Sequence, residues 1–128
     1  MKVTTRFAPS PTGYLHIGGV RTALFNYIFA KKYNGTFLVR IEDTDKERSK
    51  DQYIDAIMDG LNWIGLNPDN KPIKQSERFN VYKEEALRLV EAGKAYKDEG
   101  AIRLKIKKDG STLVKDLVYG CLLYTSDA

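Results

Sequence analysis

The sequence predicts an α/β domain on a doubly wound parallel sheet: the first half of such a fold, followed by the start of a small α+β insertion. Three observations carry this expectation. Short segments rich in β-branched residues alternate with segments of helical periodicity, in the order strand, helix, strand, helix, strand, helix. TFLVRI, residues 36–41, is nearly continuous in apolar residues, as expected of a parallel strand covered on both faces. Beyond Lys94 the pattern changes to two short strands, AIRLKI and TLVKDL, whose natural connection is a hairpin at Asp109-Gly110.

The elements follow in order. KVTTRF (2–7) is β-rich and runs into Pro9 and Pro11, so it reads as a strand ending in a shaped loop. From His16 to Tyr33 the spacing turns helical, with Leu24, Tyr27 and Ile28 on one face and Asn34-Gly35 as the stop. After the second strand, Ser49 and Gln52 have capping-box spacing. Ile54, Ile57, Met58, Leu61 and Ile64 then mark a helix closed by Gly65. PIKQS (72–76) fits a third strand, and Ser76 is placed to cap a helix through Tyr82, Ala86, Leu89 and Val90 that ends at Gly93. The expected division is therefore 1–93, 94–120 and a separate tail, 121–128.

Composition narrows the function classes. With 42% hydrophobic and 30% charged residues, the chain of 128 residues is an ordinary globular sequence, long enough for a core. A formal charge of +4 permits a nucleic-acid or phosphate partner without requiring one. The single cysteine, Cys121, can form neither an internal disulfide nor a metal cluster. No apolar run marks a signal peptide or approaches the ~20 residues of a membrane span. A cytoplasmic protein is expected, with no membrane partner.

The densest chemistry lies in RFAPSPTGYLHIGG (6–19), which packs two prolines, three glycines and the only histidine between a strand and a helix. In an open parallel sheet, ligands bind beyond the carboxyl ends of the strands. A helix start there offers unpaired N–H groups to phosphates. Gly18 and Gly19 clear the first turn for a bulky ligand, and His16 stands where a donor could meet a phosphate oxyanion. Proline and glycine also make ordinary turns, and a lone histidine is often structural; composition alone leaves both readings open. The loop is neither a Walker motif nor the dinucleotide fingerprint.

RFAPSPTGYLHIGGVRTALFNY closely resembles the first motif of the glutamyl-tRNA synthetases, class I aminoacyl-tRNA synthetases whose histidine–glycine motif here reads His16-Ile17-Gly18-Gly19. LVRIEDTDKERS and QSERFNVY resemble the next two family blocks, and AIRLKI…STLVKDLVYG a later one, with continuous resemblance over residues 1 to about 97. Glutaminyl enzymes start in the manner of RFPPEPNGYLHIGH, whereas Ala8, Ser10 and Thr12 stand here. The paralogue that glutamylates queuosine in tRNA(Asp) reads like IEDLDPPR, against Thr44 and Lys46-Glu47-Arg48 in this chain. A tRNA-charging glutamyl enzyme is favoured over both.

The resemblance implies a set of roles. L-Glutamate is activated with ATP and Mg2+, pyrophosphate leaves, and glutamyl passes to the 3′ end of tRNA(Glu). Pro9, Thr12, His16, Gly18 and Gly19 would hold ATP, with His16 stabilising the reacting phosphate. Arg6 would take a glutamate carboxylate. Ala8 would line the glutamate site, and Ser10 and Glu42 would orient the amino group. Without the resemblance, Arg6 is a surface salt-bridge residue. The run Glu42, Asp43, Asp45 could equally hold a hard cation or simply end a strand; Asp43 and Asp45 are taken as mainly structural. Arg48, Gln75, Ser76 and Arg78 correspond to positions near the tRNA acceptor end, which makes tRNA binding salt-sensitive; Ser76 fits an ordinary helix start as well. Trp63 and the tyrosines are assigned no chemistry.

Three departures from the family shape the expectation. KDEG (97–100) stands where the family inserts a longer excursion that holds zinc in some members, so no zinc and no other resident metal is expected. The lysine-rich second ATP motif, the rest of the sheet and the anticodon-binding domain do not occur in the chain, so the fragment alone is expected to be inactive; the resemblance implies a monomer for the full-length enzyme. CLLYTSDA (121–128) does not resemble the family's continuation. It can be read from TGTCTCTTATACACATCTGACGCT, which looks like the end of a transposase adapter used in sequencing libraries, and is expected to be non-native rather than a divergent terminus. A stand-alone, non-catalytic module binding ATP or a tRNA acceptor is the alternative function. A nucleotidyltransferase of the same superfamily is disfavoured by Arg6 and Glu42.

Overall fold

The computed structural model describes residues 2–106 and 109–125. The chain divides into two compact units, Met1–Phe79 and Asn80–Ala128. The first opens with β1 (Thr4–Phe7), α1 (Ile17–Lys32), β2 (Thr36–Ile41), α2 (Asp51–Trp63) and β3 (Ile73–Lys74), and a 3-10 turn over Ser76–Arg78 follows. The three strands form a parallel sheet in the order β1-β2-β3. Thr4 to Phe7 pair with Thr36 to Val39, and Arg40 and Ile41 pair with Ile73 and Lys74.

One core organises this unit. Phe7, Phe37, Val39 and Ile41 from the sheet meet Ala23 and Ala30 of α1 and Ile57 and Leu61 of α2. Both helices therefore cover the same face of the sheet. On β2 the alternation is strict: Phe37, Val39 and Ile41 are buried, whereas Thr36, Leu38 and Arg40 are only partly so. The apolar run was expected to be covered on both faces; among the described residues its second face is half open. That face carries polar chemistry, as Arg6 stands in register with Leu38, two residues from Arg40.

Backbone chemistry ends both helices alike. At α1, Asn34 takes φ 48°, Gly35 N–H donates to Ala30 O at 2.7 Å and Asn34 N–H to Lys31 O at 3.1 Å. This is a Schellman closure with asparagine in the left-handed position. At α2, Gly65 takes φ 76° and Leu66 N–H donates to Leu61 O at 2.8 Å, with Leu66 buried against the core. Asp69 then fastens the following loop: its carboxylate accepts from Phe37 N–H at 2.7 Å and from Lys31 Nζ at 2.5 Å.

Two expected caps do not form. α2 begins at Asp51 with Lys50 as its N-cap and no side-chain cap bond. Ser49 is occupied one residue earlier, where its N–H closes a turn onto Asp45 O at 2.9 Å, and its Oγ is buried with no partner among the described residues. Ser76 starts the 3-10 turn rather than capping the helix, and its hydroxyl donates to Asp43.

The second unit contains most of α3 (Phe79–Glu91), then β4 (Ala95–Asp98), β5 (Ala101–Leu104), β6 (Ser111–Asp116) and β7 (Gly120–Thr125). α3 closes like the others, with Gly93 at φ 67° and Lys94 N–H on Leu89 O at 2.9 Å. The strand pairing corrects the sequence expectation. AIRLKI does not pair with TLVKDL; β5 pairs antiparallel with β4, and β6 with β7. The competing turn is Glu99-Gly100, with φ of 44° and 84°, a two-residue turn of the twist that hairpins prefer. Asp116 closes the other hairpin by accepting from Val118 N–H at 2.7 Å and Tyr119 N–H at 2.8 Å. Lys107 and Lys108, beside the expected Asp109-Gly110 turn, lie outside the described residues, as do positions 126–128 of the tail. Among the described residues no helix is long and apolar enough to cross a membrane.

Candidate active site

The loops leaving β1 and β2 lie side by side at the carboxyl end of the sheet. Glu42 N–H donates to Pro9 O at 2.9 Å and Lys50 N–H to Pro11 O at 3.2 Å, while the Pro11 side chain is fully buried. The prolines therefore anchor the loop in place and offer carbonyls where no N–H exists. A concavity of about 120 Å³ opens beside it, lined by Phe7, Pro9, Ser10, Gly13, Tyr14, Leu15, His16, Gly19 and Ile57.

His16 is the N-cap of α1, in extended backbone conformation. Its Nδ1 accepts from Gly18 N–H at 3.2 Å, a task that serine or aspartate usually performs. The bond requires a lone pair on Nδ1, so the neutral ring carries its proton on Nε2, the nitrogen left free to donate to a ligand. Glycine at position 18 leaves room for this ring placement: a Cβ there would sit 2.9 Å from His16 Cε1 and 3.1 Å from Nδ1. At Gly19 a Cβ would lie 3.1 Å from Leu15 Cδ1, inside the lining of the concavity.

The predicted glutamate residues fall on the same end of the sheet. The side chain of Arg6 is exposed and makes no hydrogen bond or ion pair among the described residues. The surface salt bridge expected of Arg6 without the resemblance is not formed among them. Ala8 is half-buried, and Ser10 and Thr12 are exposed. Glu42 is held by Arg40, whose Nη2 donates to Oε1 at 2.5 Å.

The acceptor-end candidates are more scattered. Gln75 N–H extends the β2–β3 ladder by donating to Ile41 O at 3.0 Å. Ser76 donates to Asp43 twice, from N–H at 2.9 Å and from Oγ at 2.5 Å. Arg48 is tied to Asp45, with Nε 2.6 Å from Oδ2, and Arg78 is exposed. Among the described residues no group of three or more His, Cys, Asp or Glu is arranged to hold a metal ion.

A family description, tRNA synthetases class I (E and Q), catalytic domain, matches residues 2–101. The chain belongs to that class I synthetase family. It is 65% identical over 94 residues to glutamate–tRNA ligase 2 of Rickettsia felis, covering 73% of this chain and 20% of that protein. Against the glutamate–tRNA ligase of Coprothermobacter proteolyticus it is 60% identical over 95 residues, 74% of this chain and 20% of the relative. A crystal structure of glutamate–tRNA synthetase from Elizabethkingia anophelis superimposes with a TM-score of 0.77 at 31% identity, covering 99% of this chain and 37% of that one. The corresponding ligase of Elizabethkingia meningosepticum, solved in complex with its amino acid, matches equally. The chain spans about a fifth of the length of the curated relatives it matches.

Within this class I synthetase segment, Asp43 is the one charged side chain of the buried set among the described residues, 9% exposed. Burial works to raise its carboxyl, but the Ser76 hydroxyl and N–H hold it below the ordinary 3.8. A carboxyl lowered on folding contributes stability that is complete above the unfolded value and lost as pH falls through the lower, folded value. Thermal stability should therefore fall below about pH 4, and Asp43→Asn should remove part of that dependence. The same variant should cost about 1–3 kcal/mol at neutral pH, because Ser76 loses a charged acceptor. A melting temperature unchanged at pH 7 would deny Asp43 this structural task.

Two lining or supporting groups escaped the sequence reading. Tyr14 borders the concavity and packs edge-on against Tyr53, ring centres 5.1 Å apart. Arg40, two residues from Glu42 on the same side of the strand, was legible only as an opposite-charge pair at strand spacing.

Proposed function

We propose that this chain is the ATP- and glutamate-binding part of a glutamate–tRNA ligase. In the full-length enzyme, a glutamate α-carboxylate oxygen attacks the α-phosphorus of ATP. The bridging P–O bond breaks, pyrophosphate leaves, and the terminal ribose hydroxyl of tRNA(Glu) then displaces AMP from the glutamyl carbonyl. ATP enters with Mg2+, which supplies charge neutralisation on its phosphates; no zinc is proposed. Residues 1–93 are assigned to the catalytic domain and 94–120 to a shortened acceptor-binding insertion, in a cytoplasmic, monomeric enzyme. Residues 121–128 have no part in it.

The observation that carries this reading is the capped loop–helix junction. With His16 Nδ1 engaged, its Nε2–H and the first turn of α1 are left as preset donors for a phosphate beside a concavity. The cation of Arg6, unpaired among the described residues, suits a carboxylate. Ser10 and Glu42 take the ammonium, Ala8 lines the pocket, and Pro9, Thr12, Gly18 and Gly19 shape the ATP side. Arg48, Gln75, Ser76 and Arg78 meet the acceptor end; the Ser76 hydroxyl, having donated to Asp43, still has lone pairs to accept with.

Pyrophosphate exchange in the presence of tRNA(Glu) tests this. The full-length ligase carrying this segment should exchange label with glutamate and not with glutamine or aspartate. The 128-residue chain should be silent, because the transition state needs groups from both halves of the site. Sustained exchange by the short chain overturns its inactivity; exchange driven by another amino acid overturns the substrate.

A further inference from the structure

We infer that Arg40 is a positioning residue for glutamate recognition: it clamps one oxygen of Glu42 so that the other is presented to the substrate ammonium. The inference rests on the proposed reading of Glu42 as the ammonium ligand and adds the residue that makes Glu42 competent. Strand geometry brings the two together. Positions i and i+2 of a strand share a face; Arg40 stands on the face of β2 that also carries Arg6, and Glu42 is the first residue beyond the strand's end.

The contact is a charge-assisted hydrogen bond, Arg40 Nη2 to Glu42 Oε1 at 2.5 Å, with side chains 28% and 33% exposed. Among the described residues it leaves Oε2 uncommitted. The backbone of Glu42 is fixed as well, by its N–H on Pro9 O at 2.9 Å. Glu42 is thus held at both ends, with one free oxygen at the carboxyl edge of the sheet.

Arg40 is a costly way to cover this face. Its Nε–H is buried with no acceptor among the described residues, and an apolar side chain of similar size would carry no such penalty. The guanidinium is explained by what it holds rather than by packing.

Two effects of Arg40 on an incoming ammonium oppose each other. Its positive charge repels, but both side chains are partly solvated and the repulsion is screened. Its clamp removes the rotamer freedom that Glu42 would otherwise lose on binding substrate, which is worth roughly three- to tenfold in affinity. The sign of the effect therefore separates the two: positioning predicts that loss of Arg40 weakens glutamate, and charge repulsion predicts that it tightens it.

The test is glutamate and ATP affinity, by calorimetry, in the full-length ligase and its Arg40→Gln, Arg40→Lys, Glu42→Gln and Arg40→Gln/Glu42→Gln variants. Arg40→Gln should raise the Kd for glutamate roughly three- to tenfold and leave that for ATP unchanged. Arg40→Lys, which keeps charge and one donor, should fall between. In the Glu42→Gln background the Arg40 change should add nothing. An unchanged or tighter glutamate Kd in Arg40→Gln overturns the inference. So does an equal loss with Glu42 already replaced, which would mean that Arg40 acts without Glu42, or a parallel loss of ATP affinity, which would mean general loosening. If Glu42→Gln itself leaves glutamate affinity intact, it is the reading of the site that fails.

Discussion

His16→Ala in the full-length ligase is expected to slow glutamyl-adenylate formation about 10²- to 10³-fold, the usual consequence of removing one preset donor to a developing oxyanion. Glutamate affinity should change far less, since His16 lies at the α1 turn and not among the carboxylate and ammonium ligands. Single-turnover adenylate formation and equilibrium glutamate binding measure the two quantities separately. Equal losses in both would take His16 out of the transition state. Alanine also deletes the cap of α1, a loss of about 1 kcal/mol of stability, so a second variant is needed. His16→Ser restores an oxygen that can accept from Gly18 N–H but cannot reach a phosphate. It should melt like the parent and still be slow. Gly18→Ala attacks the same arrangement from the other side. Its Cβ would lie 2.9 Å from His16 Cε1, the ring must turn away, and adenylate formation should slow with His16 still present.

The parts of this molecule that sequence reveals are those decided by local chemistry. β2 runs from Thr36 to Ile41, the bounds its apolar run indicated, and α1 stops at the Asn34-Gly35 pair. The proposed site was legible because it is contiguous: thirteen residues from Arg6 to Gly18 hold most of it, and the loop chemistry that marks it is local. What stayed hidden is what depends on choosing between partners. Asp109-Gly110 is a good hairpin signal, but Glu99 in the left-handed region lets Glu99-Gly100 pair β5 with β4 instead. No propensity favours glutamate there. Ser76 has the sequence context of a cap, yet it starts a 3-10 turn and donates to Asp43, 33 residues earlier. Arg40 reads as one more charge on a strand until its register sets it on the same face as Arg6 and against Glu42. Only Asp43–Ser76 is a long-range pair; the other two are decided by the backbone conformation at Glu99 and by the register of β2.

Gly35 supplies the largest stability effect expected from a single methyl group. In the Asn34-Gly35 helix stop, Asn34 takes the left-handed position, at φ 48°. Gly35 is needed for a different reason: a Cβ there would lie 2.3 Å from Val3 O and 3.0 Å from Val3 C and Cβ. The obstacle is backbone, so no rotamer change relieves it. Val3 O also accepts from Thr36 N–H at 2.9 Å, the bond that leads into the Thr4–Thr36 register of β1 and β2. Gly35→Ala must therefore either break that bond or push the start of β1 away from β2. The cost should stand at the upper end for overpacking, about 3 kcal/mol, read as a fall of roughly 10–20 °C in Tm for a domain of this size. Gly13→Ala is the control. A Cβ at Gly13 meets nothing within 4 Å, and its effect should stay within about 0.5 kcal/mol. Equal melting temperatures for the two variants would mean that β1 is not seated against the α1–β2 corner. A shifted β1 also moves Arg6, three residues beyond Val3 on the same segment, so in the full-length ligase Gly35→Ala should weaken glutamate binding even at temperatures where the fold survives.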